Sequence, residues 1–335
     1  MSRKDCVFQT GLVSVVTPVY NGALHLSGML DSVLRQTYSR MELILSDDGS
    51  TDGTLAVAES YREKFAARGY GYRIVRGEHR NASAAINRGL PYVTGEYLIW
   101  PDSDDVLEPE SVKKRVDFLQ GHPEYSCVRS LAYYFDAATG EVSNQRDERQ
   151  GDLSQKDLFW EILEARTFVC CGCYMLKTRK FFEIYRERQI PEYDVGQNFQ
   201  MLLPFLFYHK CPTIPEELYG VAKREGSHSR RKLTRDEEEK KYRDYEALVD
   251  DIARICRMED QASQDRIICW KERRRYQISI KYGHIRPAFA AMRSLNKYGE
   301  GQVSMALKEF IWHFFVNDWV KEKIYPVYRK ILHKK

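Results

Sequence analysis

Asp102, Asp104 and Asp105 place three carboxylates within four residues, directly after the apolar run Tyr97-Leu98-Ile99-Trp100. Like charges this close repel one another. A divalent cation relieves that repulsion, and oxygen ligands of this kind suit Mg2+ or Mn2+. The chemistry they suggest is a metal held against a phosphate. A plainer role competes with it. Asp104, Asp105 and Glu108 could cap a helix beginning near Glu108, because acids favour helix N-termini.

Two further clusters have the same character. In Thr17-Pro18-Val19-Tyr20-Asn21-Gly22, Pro and Asn-Gly are turn chemistry. An exposed Tyr20 beside that turn could stack on a base, although taken alone the motif reads as an ordinary βα loop. In Asp47-Asp48-Gly49-Ser50-Thr51-Asp52, one of Ser50, Thr51 or Asp52 can cap the next helix. That leaves Asp47 and Asp48 in need of partners, and a carboxylate can accept a hydrogen bond from the N3–H of a uracil ring.

These loops need elements to position them. Leu12 to Thr17, Glu42 to Ser46, Tyr72 to Val75 and Tyr97 to Trp100 read as buried strands. Leu24 to Arg35, the stretch after Asp52 to about Ala67, and Asn81 to Leu90 have helical spacing. Strand–helix alternation predicts a parallel sheet with right-handed crossovers. All three clusters then fall at the carboxyl edge of that sheet, where open α/β sheets bind ligands. Further on, Ser126 to Phe135, Phe168 to Leu176 and Glu217 to Arg224 read as strands. Leu153 to Leu163, Arg179 to Arg188 and Gln197 to Tyr208 read as helices, the last despite Pro204. No strand signal follows Arg230, so an α/β domain over 1–230 and an all-helical region over 231–335 are expected.

With 335 residues and a hydrophobic share of 43%, the chain can bury a large core. A net charge of +4 is too small to argue for nucleic-acid binding and suits anionic ligands or a membrane surface. No uncharged apolar stretch reaches the length of a membrane span. Met1-Ser2-Arg3-Lys4-Asp5 leads into no long apolar run, which argues against a secretory signal. A cytoplasmic location is expected. Cys170, Cys171 and Cys173 cluster in the expected strand, which would put Cys171 and Cys173 on one face. A metal site there needs further ligands, and reduced core thiols are the simpler reading.

The four ordered motifs resemble those of family-2 glycosyltransferases. Val15-Val16-Thr17-Pro18-Val19-Tyr20-Asn21 is similar to the family's first strand, and Asp47 to Asp52 to its second signature. Asn81 with Ala82, Ser83, Asn87 and Gly89, ahead of Gly95-Glu96-Tyr97, resembles the third. Asp102-Ser103-Asp104 falls at the family's D-x-D. The resemblance is close over residues 12–120 and loose to about 230. It implies a GT-A fold with a mostly parallel sheet, a nucleoside-diphosphate sugar donor (most often a UDP-sugar), a divalent metal and inverting transfer to an acceptor hydroxyl. By carry-over, Pro18 and Tyr20 contact the base, Asp48 the uracil, and Asn81 the donor. Asp102 lies near the ribose or a metal-bound water, and Asp104 ligates the metal. The acceptor is expected to be a glycan or a lipid-linked glycan of the cell surface.

The family usually supplies its base from an acidic pair at a helix start. Here the matching place holds Gln197-Asn198, and an amide cannot take a proton at neutral pH. Asp194, one helical turn earlier, is the candidate base, with an N-cap as its competing role. An impaired or non-catalytic nucleotide-sugar or glycan-binding protein is the alternative. Arg224-Glu225-Gly226-Ser227-His228-Ser229-Arg230 resembles the loop of GT-A enzymes that use a late His as an extra metal ligand, which makes His228 a candidate ligand on a closing loop whose arginines suit a diphosphate, with a solvated surface His as the competing reading. Phe310 to Phe315 and Trp319 to Leu332 mix aromatic with basic residues. Helices of this kind either pack on the catalytic domain or lie on the inner face of the membrane.

Overall fold

The computed structural model describes residues 8–143, 151–224 and 233–300. It divides into two compact units, 1–231 and 232–335.

The first unit is built on one sheet. Its leading strands are β1 (Gln9–Val19), β2 (Met41–Asp47), β3 (Gly71–Arg76) and β4 (Gly95–Ile99). β2 and β4 flank β1, β3 pairs with β2, and all these pairings are parallel, as the alternation predicts. Val15 aligns with Leu43 on one side and Ile99 on the other, and all three are buried. Such strands must be apolar on both faces because helices cover both. α1 (Leu26–Leu34) buries Leu26, Met29, Leu30 and Val33; α2 (Thr54–Ser60) and α3 (Arg62–Ala67) join β2 to β3; α4 (Ala82–Gly89) buries Ala84, Ala85 and Ile86.

Beyond β4 the sheet becomes mixed. β5 (Val106–Leu107) precedes α5 (Ser111–Gly121), β6 (Cys127–Asp136), β7 (Val142–Ser143) and α6 (Phe159–Leu163). β8 (Tyr174–Lys177), α7 (Thr178–Ile184), α8 (Gln197–Tyr208) and β9 (Thr213–Lys223) complete the unit. The order across the sheet is β3-β2-β1-β4-β8-β6-β9-β5, with β7 on β6. β8 runs antiparallel to both β4 and β6, whereas β9 is parallel to β6 and antiparallel to β5.

Three local expectations change. Phe168 to Leu176 is not one strand: Cys171–Cys173 is a 3-10 turn and β8 starts at Tyr174. Leu153 to Leu163 is helical only from Phe159, because its polar N-terminal half folds as turns around Asp152. The helix expected near Glu108 begins at Ser111, and no side chain caps it. Pro204 sits inside α8 as expected.

The second unit contains α9 (Arg235–Ile255), α10 (Gln261–Lys281) and α11 (Ile285–Lys297). Thr234 and Glu237 cap α9 reciprocally, each side chain meeting the other's backbone N–H. Tyr276 of α10 packs with Ala288, Ala291 and Met292 of α11. The Arg274 guanidinium lies 4.1 Å above the Trp270 ring. No helix among the described residues is long and apolar enough to cross a membrane. His228 and the aromatic-basic tail lie outside the described residues.

Candidate functional site: an acidic sheet edge

The carboxyl ends of β2, β1 and β4 are neighbours, so Asp48, Tyr20 and the 102–105 loop emerge along one edge. Pro18 is the penultimate residue of β1 and is buried, whereas Tyr20 is 45% exposed. Its ring stacks on His79 with centroids 3.8 Å apart. The sequence alone gave no role to His79.

Asp47 and Asp48 have protein partners. Asp47 accepts from the Ser50 N–H at 3.2 Å and pairs with Arg76 at 3.3 Å. Asp48 is buried at 2% exposure. It pairs with Arg88, contacts His79 Nδ1 at 2.9 Å and accepts from the Arg80 N–H at 3.0 Å. A carboxylate offers about four lone-pair sites, so these bonds orient Asp48 and leave little capacity for a further donor. Gly49 makes the approach possible. Its φ is +75°, and a Cβ there would sit 2.7 Å from the His79 backbone nitrogen.

The 102–105 loop is tied down by Tyr219 of β9. The Tyr219 hydroxyl accepts from the Asp102 N–H at 3.1 Å and donates to Asp105 Oδ2 at 2.8 Å. The Ala222 N–H donates to Asp105 Oδ1 at 2.8 Å. Asp105 is therefore a buried anchor and not a helix cap. Asp104 instead pairs with Arg224 at 2.9 Å. Burial and the Asp104 charge push Asp102 up from 3.8 to about 6. Burial raises Asp105 well above its ordinary value, with the Asp102 and Asp104 charges adding to it.

Carboxylate oxygens of Asp102 and Asp105 and the Cys171 sulfur all lie within 4.8 Å of one another. The two carboxylates are oxygen ligands of the kind a divalent cation takes. Cys171 arrives there on its 3-10 turn. The Tyr219 ring lies against Gly172, so closely that a Cβ would fall 2.0 Å from a ring carbon. Fully buried Arg115 holds the same turn by donating to the Gly172 carbonyl at 2.7 Å.

The third expected motif works as a clamp. Asn81 caps α4, its side-chain oxygen accepting from the Ala84 N–H, and its Nδ2 donates to Asp194 Oδ1 at 2.9 Å. Asn87 exchanges two hydrogen bonds with the backbone of Ile190. Buried Gln200 donates to the carbonyls of Tyr193 and Val195. Gly196, in the left-handed conformation, occupies the N-cap of α8, so Asp194 does not cap that helix. Gln197 Nε2 and Asn198 Oδ1 are buried and find no hydrogen-bond partner among the described residues.

The structure thus joins Asn81 to Asp194 and gathers Asp102 and Asp105 around Tyr219. It directs Asp104 to Arg224. Sequence reasoning missed Tyr219 and His79, and took Cys171 for a core thiol. Tyr219 and Cys171 come from segments distant from the acidic loop. A local signal for the thiols existed, because Cys170 and Cys173 stand in C-x-x-C spacing.

Residues 14–185 match the sequence profile described as Glycosyl transferase family 2. The chain is 35% identical to glycosyltransferase EpsE of Bacillus subtilis over 125 residues, which is 37% of this chain and 44% of EpsE. Other curated relatives at similar identity are also covered over less than half their length. Among solved structures, Staphylococcus aureus TarS in complex with UDP-GlcNAc superposes with a TM-score of 0.62 at 18% identity, covering 90% of this chain and 89% of that one. The mannosyltransferase PcManGT of Pyrobaculum calidifontis, in complex with GDP-Man and Mn2+, gives 0.52 at 17% identity over 88% and 77%. At these identities the likeness is one of fold.

Proposed function

This chain belongs to glycosyl transferase family 2, and from that premise we propose that it transfers a sugar from a UDP-sugar to an acceptor hydroxyl during surface-glycan synthesis. The observation that carries this reading is the delivery of Asp48, Tyr20 and the 102–105 loop to one sheet edge by three adjacent parallel strands. EpsE's name and the UDP-GlcNAc bound to TarS support the reaction class and the donor.

In this reading the half-exposed Tyr20 ring receives the base, backed by His79. Pro18 shapes the turn beneath it. Asp48 fixes His79 and Arg88 around the uracil edge. Asn81 lines the donor pocket at the start of α4. Asp102 and Asp104 would hold Mn2+ or Mg2+, with His228 a further candidate ligand. A cation bound there would supply positive charge against the diphosphate leaving group. Arg224, which pairs with Asp104, would offer its guanidinium to a phosphate oxygen.

Asp194 takes the acceptor proton. Its Oδ1 accepts from Asn81, which holds the carboxylate in one orientation. Gln200 and Asn87 hold the segment that carries it. The unpartnered amide atoms of Gln197 and Asn198 favour a second reading, a nucleotide-sugar or glycan binder without turnover.

Titration calorimetry with UDP, with and without Mn2+, tests the donor site on wild type and Asp104→Ala. Mn2+-dependent binding that the variant loses is the expected result. No binding of UDP, GDP or any other nucleotide overturns the reading. Release of free sugar or transfer product from bound donor separates an enzyme from a binder. Transfer that survives Asp194→Asn removes Asp194 as the base.

A further inference from the structure

The segment that carries Asp194 holds an ion pair that the proposed chemistry does not use. We propose that Glu192, gripped by Arg80, is a positioning residue that sets Asp194 in place to receive the acceptor proton. The inference rests on the reading of Asp194 as the base.

Three observations carry it. The first is register. Residues 189–196 belong to no helix or strand, so no ladder of backbone bonds sets their place. Every second residue is pinned instead from α4 and the loop before it. Ile190 exchanges two hydrogen bonds with Asn87, Glu192 pairs with Arg80 at 2.7 Å, and Asp194 accepts from Asn81 at 2.9 Å. Residues two apart along an extended chain face the same way, which lets one side of the segment take all three pins.

The second is anchorage. The Arg80 N–H donates to buried Asp48 at 3.0 Å, and the ring of the preceding residue, His79, contacts the same carboxylate. The following residue, Asn81, caps α4. Arg80 therefore projects from a backbone held on both sides. An ion pair as exposed as this one adds little stability by itself. With its backbone already ordered, the pair costs only side-chain freedom, and what it supplies is orientation.

The third is what the other contacts leave undone. Asn81 binds one oxygen of Asp194, and a single hydrogen bond lets a carboxylate swing about it. Gln200 holds the carbonyls of Tyr193 and Val195 from the α8 side. Glu192 supplies the opposing charged restraint, from the loop that also carries His79. A misplacement of about 1 Å can cost about a hundredfold in rate, so slack in this segment is enough to disable the base.

The test uses the full-length protein with Mn2+ and UDP-GlcNAc. Release of free GlcNAc is followed against donor concentration. Hydrogen exchange of the Ile190 amide, which donates to Asn87 at 2.8 Å, reports whether the segment lifts. Glu192→Gln and Arg80→Ala should each lower kcat about fivefold or more, leave KM for the donor within about twofold, and speed exchange at Ile190. Arg80→Lys, which keeps the charge, should retain most of the rate, and exchanging the two residues (Arg80→Glu with Glu192→Arg) should restore it. A packing defect is not repaired by that exchange, so failure of both to recover the rate overturns the proposal. A low rate in Glu192→Gln with a full rate in Arg80→Ala overturns it as well, because Glu192 then acts without Arg80. Exchange at Ile190 as slow as in wild type in both variants also overturns it. If UDP fails to bind in the calorimetry, the transferase reading falls, and the exchange comparison still decides whether the pair positions the segment.

Discussion

Tyr219 is the residue on which the acidic loop depends. Its hydroxyl serves the partly buried backbone N–H of Asp102 and the buried carboxylate of Asp105. Removing one partner from a buried polar group costs about 1–3 kcal/mol. Tyr219→Phe should therefore lower stability by roughly that amount in urea denaturation, and should weaken Mn2+-dependent UDP binding. An unchanged unfolding midpoint would show that water replaces the hydroxyl. Asp102 carries a pH signature. Burial and Asp104 raise it from 3.8 to about 6, so the folded chain keeps a proton that the unfolded chain has released. That contribution favours folding below about pH 4 and is lost as pH rises through about 6. Asp102→Asn has no such titration. Its stability relative to wild type should rise across that window, and a flat difference would refute the raised value. Metal binding requires the ionised carboxylate, so Mn2+ affinity in wild type should climb over the same range.

At the scale of elements, α4 and α8 hold the 190–196 segment between them. Asn81 and Asn87 act from α4, and Gln200 acts from α8. Gln200→Ala removes two donors to the carbonyls of Tyr193 and Val195 but touches neither Tyr20 nor Asp48. The expected outcome is a fall in the rate of transfer with UDP affinity unchanged, read by product assay beside calorimetry. Equal losses in both would mean that the segment also shapes the donor pocket. Much of this clamp was legible, because Asn81 and Asn87 belong to the stretch that resembles the family's third motif. The partners were not. Gln200 lies over a hundred residues further along the chain, and in the sequence it is one polar residue of an apolar helix.

At the scale of the whole molecule, the sheet lies in the first unit and the described helices from α9 onward in the second. No described helix is suited to crossing a membrane. We propose that membrane contact, if the acceptor is lipid-linked, comes from the aromatic-basic residues after Val303, by insertion in the interface plane. Liposome co-sedimentation of the full chain against one ending at Gln302 tests this. Stronger sedimentation of the full chain on anionic vesicles is expected, and equal sedimentation removes the tail from the reading.

The sequence by itself determined the strands β1 to β4, their parallel pairing and the loops that carry Asp48, Tyr20, Asp102 and Asp104. Each of those features is written locally, as an apolar run that stops at turn-forming or acidic residues. Charge count and hydropathy bounded the function classes for the same reason, since both are properties of composition. Only the tertiary structure decided which charges meet. It gave Asp48 to Arg88 and His79, Asp104 to Arg224, and Asp105 to Tyr219. It also moved Cys171 from an expected strand face to the acidic loop. The Asp48 pairings join β2 to α4 and the loop before it, the others join segments brought together by β8 and β9, and strand order across a sheet is set by packing of the whole core. No local pattern records it.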